Sequence, residues 1–110
     1  KPVSARAWRM ADVADRWGEL VLRSWIVENG AEVAYQDGPC SSLVPPLELL
    51  AGIPFRRPRR FLMLTGTVPA IGGVRPSTRF RAELVDPARD RCLELAYDIV
   101  SLEADDAATA

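Results

Sequence analysis

The sequence predicts a mainly β fold, of the β-rich α+β class, with two short helices. Apolar and polar residues alternate with period two in several stretches, which is typical of half-buried strands. The dipeptide Asn29-Gly30 separates two such stretches and is a strong hairpin signal, because both residue types tolerate positive φ. Only two short stretches have helical spacing. The five predicted strands can form a sandwich or an open barrel.

A short helix and a hairpin are predicted in the first half of the chain. Residues 12–17 have helical spacing, and Asp12 is a candidate N-cap. Residues 20–28 alternate as a strand, and residues 31–36 return as its partner after the Asn-Gly turn. Asp37-Gly38-Pro39 consists of turn-forming residues and is predicted to end the second strand.

A helix and three strands are predicted in the second half. Pro45-Pro46 begins the helix, because proline is tolerated in the first turn, and Gly52 ends it. Residues 61–67 are predicted to form a buried apolar strand. Residues 78–85 and residues 92–102 alternate again and predict a closing hairpin.

Composition and charge bound the function. A chain of 110 residues, 48% hydrophobic and 26% charged, is one globular domain or part of one. Its net charge of −1 argues against a general affinity for nucleic acids or membrane surfaces. No apolar stretch reaches the roughly 20 residues that span a bilayer. The run RRPRR, residues 56–60, has no interleaved aromatic residues and indicates a solvated loop or a salt-bridged interface.

Cysteine and acidic residues show no metal or redox pattern. Cys40 and Cys92 are far apart and match no zinc or redox spacing, so we expect two reduced thiols in a cytoplasmic protein. Six acidic residues considered as metal ligands lie scattered over turns and outward strand positions, where ordinary surface charges are expected: Glu32, Asp37, Asp86, Asp90, Glu94 and Asp98. Residues 103–110 are small and acidic and predict a flexible tail.

The stretch FLMLTGTVPAIGGVRP, residues 61–76, has the features of a ligand site. The predicted strand there ends in Thr65-Gly66-Thr67, and a glycine at such a corner lets a ligand approach the backbone closely. The alternative is a plain strand end where the threonines satisfy backbone groups. Gly72-Gly73 is interpreted as a turn. The chain has no histidine and a single lysine, Lys1, which removes the usual acid–base residues.

Several blocks, taken in order, resemble the C-terminal part of the fumarylacetoacetate hydrolase superfamily. They are WIVENG (25–30) with Tyr35-Gln36, PPLELLA (45–51), LTGTVPAIGG (64–73) and the hairpin of residues 80–100. The resemblance is closest to an uncharacterised bacterial branch. It implies a partial mixed β-roll or sandwich in which residues 1–102 are the C-terminal portion of a catalytic domain that is incomplete at its N-terminus.

This resemblance implies a parent enzyme that cleaves the carbon–carbon bond of a keto acid with Mg²⁺ or Mn²⁺. The family's metal ligands and catalytic base lie upstream of the matched segment, so no catalytic or metal residue is assigned here and the chain alone is expected to be inactive. Gly66 and Thr67 match the corner that lines the substrate site, where Thr67 would donate a hydroxyl hydrogen bond. Gln36 is the third candidate, although it lies about two residues later than in the family's pattern.

The residues also support a different hypothesis. The chain contains no histidine, no nucleophile–base pair and no metal cluster in its sequence pattern. It is then a small non-catalytic β-domain that binds a small organic acid or a partner chain. Strand edges left open in such a small domain favour homodimerisation.

Overall fold

The structure is a computed structural model that describes residues 2–102, so the predicted acidic tail lies outside the described residues. The mainly β prediction is confirmed. Strand β1 spans Val21–Glu28, β2 Ala31–Pro39, β3 Arg79–Asp86 and β4 Arg91–Asp98, and helix α1 spans Pro46–Ala51. Short 3-10 helices cover Met10–Asp12, Ala14–Glu19, Cys40–Ser42 and Pro87–Arg89. Among these residues, none of the helices has the length and apolarity that a membrane crossing requires.

The four strands form one antiparallel sheet in the order β2-β1-β3-β4. Both predicted hairpins are present, and β1 pairs with β3 to join them. Asn29 and Gly30 have φ of 51° and 77°, which confirms the predicted Asn-Gly turn. The predicted helix at residues 12–17 is a pair of 3-10 helices instead, and Asp12 makes no capping hydrogen bond there.

The two faces of the sheet differ in polarity, because paired residues of antiparallel strands point to the same side. We call one side of the sheet the inner face. It carries Leu22, Ser24, Ile26, Phe80, Ala82, Leu84, Leu93, Leu95 and Tyr97. On the opposite, outer face, the Arg81 guanidinium lies 3.8 Å above the centre of the Trp25 ring. The apolar core therefore has to form against the inner face.

That core is small. Val13, Leu20 and Cys40 form a buried cluster, and Trp8, Met10, Trp17, Leu43 and Leu84 pack against it at one end of the inner face. The other buried apolar residues of the described chain are Ile26, Val68 and Pro46, the first residue of α1. The radius of gyration is 16.8 Å, whereas a compact domain of this length has about 13 Å. Much of the chain thus lies away from the core.

Asp86 is buried, although the sequence predicts an ordinary surface charge at this position. It is the last residue of β3, and strand alternation places it on the same face as Leu84. Its carboxylate is 0% exposed and accepts hydrogen bonds from Arg16 at 2.6 Å and from Arg91 at 2.9 Å. These bonds, the one from Arg16 first, lower the pKa of Asp86. The charge is tolerated inside because two guanidiniums compensate it.

Two predictions about the strands are wrong: β2 is longer than predicted, and the strand predicted at residues 61–67 is absent. Asp37-Gly38-Pro39 continues β2 rather than ending it, because each residue pairs with one on β1. Residues 61–67 form no strand, and Leu62 and Leu64 are 78% and 68% exposed. An apolar run has strand propensity, but a strand also has to pair with the edge of another strand. Residues 61–67 pair with no strand of the described chain.

Candidate functional site

The corner of residues 65–69 lies against a β-bulge in strand β2. Ser24 pairs with Gln36 and Trp25 pairs with Ala34, so Tyr35 has no residue opposite it on β1. The Tyr35 carbonyl instead accepts a hydrogen bond of 2.7 Å from the backbone N–H of Ile71. Bulges redirect backbone groups and side chains in this way and are common next to binding sites. Here the bulge gives the following loop its first attachment to the sheet.

Gln36 provides the second attachment. The Ser24 hydroxyl donates to Gln36 Oε1 at 2.7 Å, and Gln36 Nε2 donates to Thr67 Oγ1 at 2.9 Å and to the Val68 carbonyl at 2.6 Å. Ser24 is 0% and Gln36 8% exposed. The structure therefore brings together two of the three predicted site residues, Gln36 and Thr67. Gln36 uses both amide hydrogens to hold the corner, which leaves neither of them for a ligand.

Thr67 is the member of this chain of hydrogen bonds that reaches the surface. Its side-chain oxygen accepts from Gln36, and its own hydroxyl hydrogen bonds to no described residue. A hydroxyl that already accepts a bond is a better oriented and slightly stronger donor. The Thr65 hydroxyl, in contrast, bonds the adjacent Gly66 carbonyl at 3.0 Å. Thr67 thus keeps the donor capacity that its predicted role requires.

Gly66, the third predicted residue, lies beside Thr67 in open space. A Cβ atom built on Gly66 meets no other atom within 4 Å. Packing within the chain therefore does not require glycine at this position. What the missing side chain provides is access to the backbone from solvent.

Val68 is the residue that packs the corner onto the sheet. It is 5% exposed, and its Cγ1 lies 2.8 Å from the position that a Cβ on Gly38 would occupy. The close packing of β2 and the corner therefore depends on the absence of a side chain at Gly38.

Arg75 closes the far side of the loop. Its Nε and Nη2 donate to the Glu28 carboxylate at 3.0 and 2.7 Å, and its Nη1 donates to the carbonyls of Ile71 and Gly73 at 2.6 and 2.9 Å. The hydrogen bond from Arg75 lowers the pKa of Glu28. Because all three guanidinium nitrogens are bonded within the chain, Arg75 fixes the loop and is not a free anion receptor.

A groove opens on the inner face next to this loop. It has a volume of about 290 Å³, and its walls include Ile26, Tyr35, Phe80, Tyr97 and Ile99. The Phe80 and Tyr97 rings lie 5.5 Å apart in a tilted arrangement. Tyr35 lines the groove and is the neighbour of Gln36, so the groove and the Thr67 corner adjoin along β2.

Sequence reasoning missed Ser24, Gly38, Val68 and Arg75. Ser24 did carry a signal, because it occupies an inward position between Leu22 and Ile26. A polar side chain in a buried row needs a partner, and that partner is Gln36. The contacts of Val68 with Gly38 and of Arg75 with Glu28 join residues 30 or more positions apart, and no local pattern indicates them.

The β3–β4 register also brings Glu83, Cys92 and Glu94 together on the outer face, with ligand atoms within 4.8 Å of one another. Burial, with Glu83 and Glu94, raises the pKa of the Cys92 thiol, which favours its protonated form near neutral pH. Glu83 also bonds Arg81 at 3.1 Å. Of the acidic residues considered from sequence, Glu32, Asp37 and Asp98 form ion pairs with Arg81, Arg23 and Arg79.

A family model described as "Protein of unknown function (DUF2848)" matches residues 1–97. No curated protein and no solved structure matches the chain. The resemblance to the fumarylacetoacetate hydrolase superfamily is thereby corrected, since nothing found points to that superfamily. The blocks that carried it are an Asn-Gly hairpin, a short helix, a glycine-containing loop and a second hairpin, which are elements that many β folds share. The expectations of keto-acid hydrolysis and of a Mg²⁺ or Mn²⁺ cofactor depended on that resemblance and lose their support with it.

Proposed function

The chain belongs to the DUF2848 family of proteins of unknown function, and from that premise we propose that it is a non-catalytic β-domain that pairs with a partner chain. One observation carries the proposal: in the described chain, twelve large hydrophobic residues are exposed, whereas five hydrophobic residues and Pro46 are buried. Soluble monomers rarely leave extensive apolar surface in contact with water.

The exposed apolar side chains are concentrated in two segments. In residues 61–74, Leu62, Leu64 and Val74 are 78%, 68% and 90% exposed. At the end of the described chain, Val100 and Leu102 are 82% and 91% exposed. Burying one leucine side chain contributes about 1.5–3 kcal/mol. A partner that covered these segments would add more apolar burial than the small core now provides.

The chemistry of the chain supports a binding role rather than a catalytic one. The sequence has no histidine. Burial raises the pKa of both thiols, Cys40 and Cys92, which disfavours the nucleophilic thiolate near neutral pH. Both cysteines are free, which fits a reducing compartment, and we propose that the protein is cytoplasmic.

Site-specific photo-crosslinking in cells tests the partner proposal. A benzophenone amino acid replaces Leu62 in the exposed segment, and the control carries it at Glu48 on α1, which is also exposed. We expect a discrete polypeptide adduct at position 62 and none at position 48. Equal labelling at the two positions, or none at either, contradicts the proposal.

The Thr67 corner favours a second candidate function, the binding of a small organic acid. Its support is the buried chain from Ser24 through Gln36, which leaves an exposed hydroxyl donor beside an open glycine. A carboxylate that accepted this hydrogen bond would gain about 1.5–3 kcal/mol at most. The expected affinity is therefore weak, and the contact provides orientation more than strength.

An NMR titration with sodium pyruvate tests this second candidate. We expect saturable shifts of the Gly66 and Thr67 amide signals. Thr67→Val keeps the shape but removes the hydroxyl, and should weaken binding about tenfold. Gly66→Ala should weaken it through hindered approach. Shifts that rise linearly without saturation, or that are the same in Thr67→Val, exclude the site.

A further inference from the structure

We infer that residues 61–64 form a strand on the free edge of β4 in a second copy of this chain, and that two copies exchange these segments. This inference rests on the proposed pairing with a partner chain and names that partner. We call residues 56–64 the arm: four arginines and a proline, followed by Phe61, Leu62, Met63 and Leu64.

The arm has the composition of a strand without the pairing of one. No backbone group of residues 61–64 forms a hydrogen bond within the described chain. Phe61, Leu62 and Leu64 are 40%, 78% and 68% exposed. A short apolar run bounded by proline and glycine predicts a buried strand. Its burial therefore has to come from a surface that it does not contact in this copy.

Strand β4 provides an edge. The strand order places β2 and β4 at the two edges, and β2 is already contacted by the loop through the Ile71 N–H. Among residues 2–102, the β4 backbone receives one hydrogen bond from outside the sheet, from the Ser4 hydroxyl to the Glu94 carbonyl. The half of β4 after Glu94 remains open, and an open edge is a template for strand addition.

The arm cannot reach β4 of its own chain. Val68 is fixed on β2 at the opposite edge of the sheet. The four residues from Leu64 to Val68 span at most about 14 Å. A strand added to the edge of β4 lies four strand spacings from β2, which amounts to about 19 Å. The linker is therefore too short for residues 61–64 to lie along β4 of the same chain. The pairing edge must belong to another molecule.

The side chains of β4 suit an apolar segment. On the inner face, a shallow groove of about 200 Å³ has walls that include Leu22, Ala82, Leu84, Leu93 and Leu95. Alternate residues of an added strand point into this groove, whereas the others point to the outer face. Ser4 also lines the groove at Glu94, so an added strand meets its Leu95 end. The arm has apolar residues at all four positions and presents apolar side chains to that end in either register.

Charge complementarity selects a second copy and an orientation. Arg56, Arg57, Arg59 and Arg60 form no ion pair with any described residue. The chain has a net charge of −1, so without these four arginines its remaining charge is −5. Asp98, the last residue of β4, has a side chain that is 78% exposed. Antiparallel addition places the arginines, which precede the apolar run, near this end of the partner's β4.

Reciprocal exchange closes the assembly. Each copy donates one arm and accepts one on β4, so the same two surfaces are used twice around a two-fold axis. A closed dimer leaves neither an unpaired arm nor an open β4 edge. An open chain of copies would leave one of each at its ends.

Sedimentation of the purified chain tests the exchange. We expect a dimer that dissociates on dilution, and Leu62→Asp/Leu64→Asp should raise its dissociation constant at least about a hundredfold. Val74→Asp is the matched control, because Val74 is 90% exposed but lies outside the arm. Backbone hydrogen exchange should show protection of residues 61–64 and 95–98 in the dimer and its loss in the arm variant.

Three results overturn the exchange. One is a wild-type chain that stays monomeric at every concentration. Another is a dimer that the arm variant leaves intact. The last is a monomeric pure chain whose position 62 crosslinks to a different protein in cells, and this result would keep the partner proposal while excluding the second copy.

Discussion

The corner and the arm are adjacent in the chain but differ in how they are held. The corner, residues 65–69, is fixed to β2 through Gln36 and Val68, and the loop after it is fixed to Glu28 at the end of β1 through Arg75. The apolar residues 61–64 of the arm, in contrast, make no backbone hydrogen bond within the described chain. The difference shows that hydrophobic composition alone does not order a segment, because ordering a backbone costs about 1–2 kcal/mol per residue and has to be offset by contacts.

The largest effect should come from removing the amide that holds the corner. Gln36→Ala leaves the buried Ser24 hydroxyl and the Val68 carbonyl without their partner. We expect the free energy of unfolding to fall by about 3 kcal/mol, measured by urea denaturation. Thr67→Val removes only the exposed end of the same network and is the control, with an expected loss below about 1 kcal/mol. Equal losses would mean that Gln36 does not anchor the corner.

A smaller effect is expected where Val68 packs on β2. Gly38→Ala places a Cβ 2.8 Å from Val68 Cγ1, and the stiff valine has to shift. We expect a loss of about 1–3 kcal/mol. Gly66→Ala is the matched control, because its Cβ meets nothing within 4 Å, and it should stay within about 0.5 kcal/mol of wild type. If both variants melt alike, the packing of Val68 on Gly38 is not what seats the corner.

The next largest effect is expected from acid, which should release the side of the loop that Arg75 holds to Glu28. The pKa of Glu28 is lowered by its hydrogen bond to Arg75, so this bond stabilises the folded state above the ordinary carboxyl pKa and is lost as the pH falls through the lowered value. Since Arg16 and Arg91 also lower the pKa of Asp86, global stability does not isolate Glu28. The protection of the Ile71 amide against hydrogen exchange isolates the contribution of Glu28, and Glu28→Gln should remove the pH dependence of that protection. A pH dependence that persists in Glu28→Gln would assign the effect to another carboxylate.

The smallest effect on stability is expected in the arm. Leu62→Ser changes a side chain that is 78% exposed. We expect the monomer's free energy of unfolding to stay within about 0.5 kcal/mol of wild type, while association is weakened. A clear loss of monomer stability would show that the arm packs against its own chain and would remove the contrast with the corner.

The same contrast explains how far the sequence predicts the structure. The β1–β2 hairpin is predictable because Asn29-Gly30 encodes its turn locally. The location of the Thr67 corner is also predictable from its residue types. Its attachment is not, because Gln36 and Thr67 lie 31 residues apart and only the folded sheet brings them together. The predicted strand at residues 61–67 is wrong because periodicity measures propensity and not the availability of an edge.

Backbone hydrogen exchange of the purified chain, followed across protein concentration, tests the central contrast most directly. The Ile71 amide should be protected at every concentration, because its acceptor lies in the same chain. The amides of residues 61–64 should be unprotected on dilution and become protected as the concentration rises. Protection of residues 61–64 at the lowest concentration, or its absence at the highest, would contradict an arm that is ordered by a partner chain.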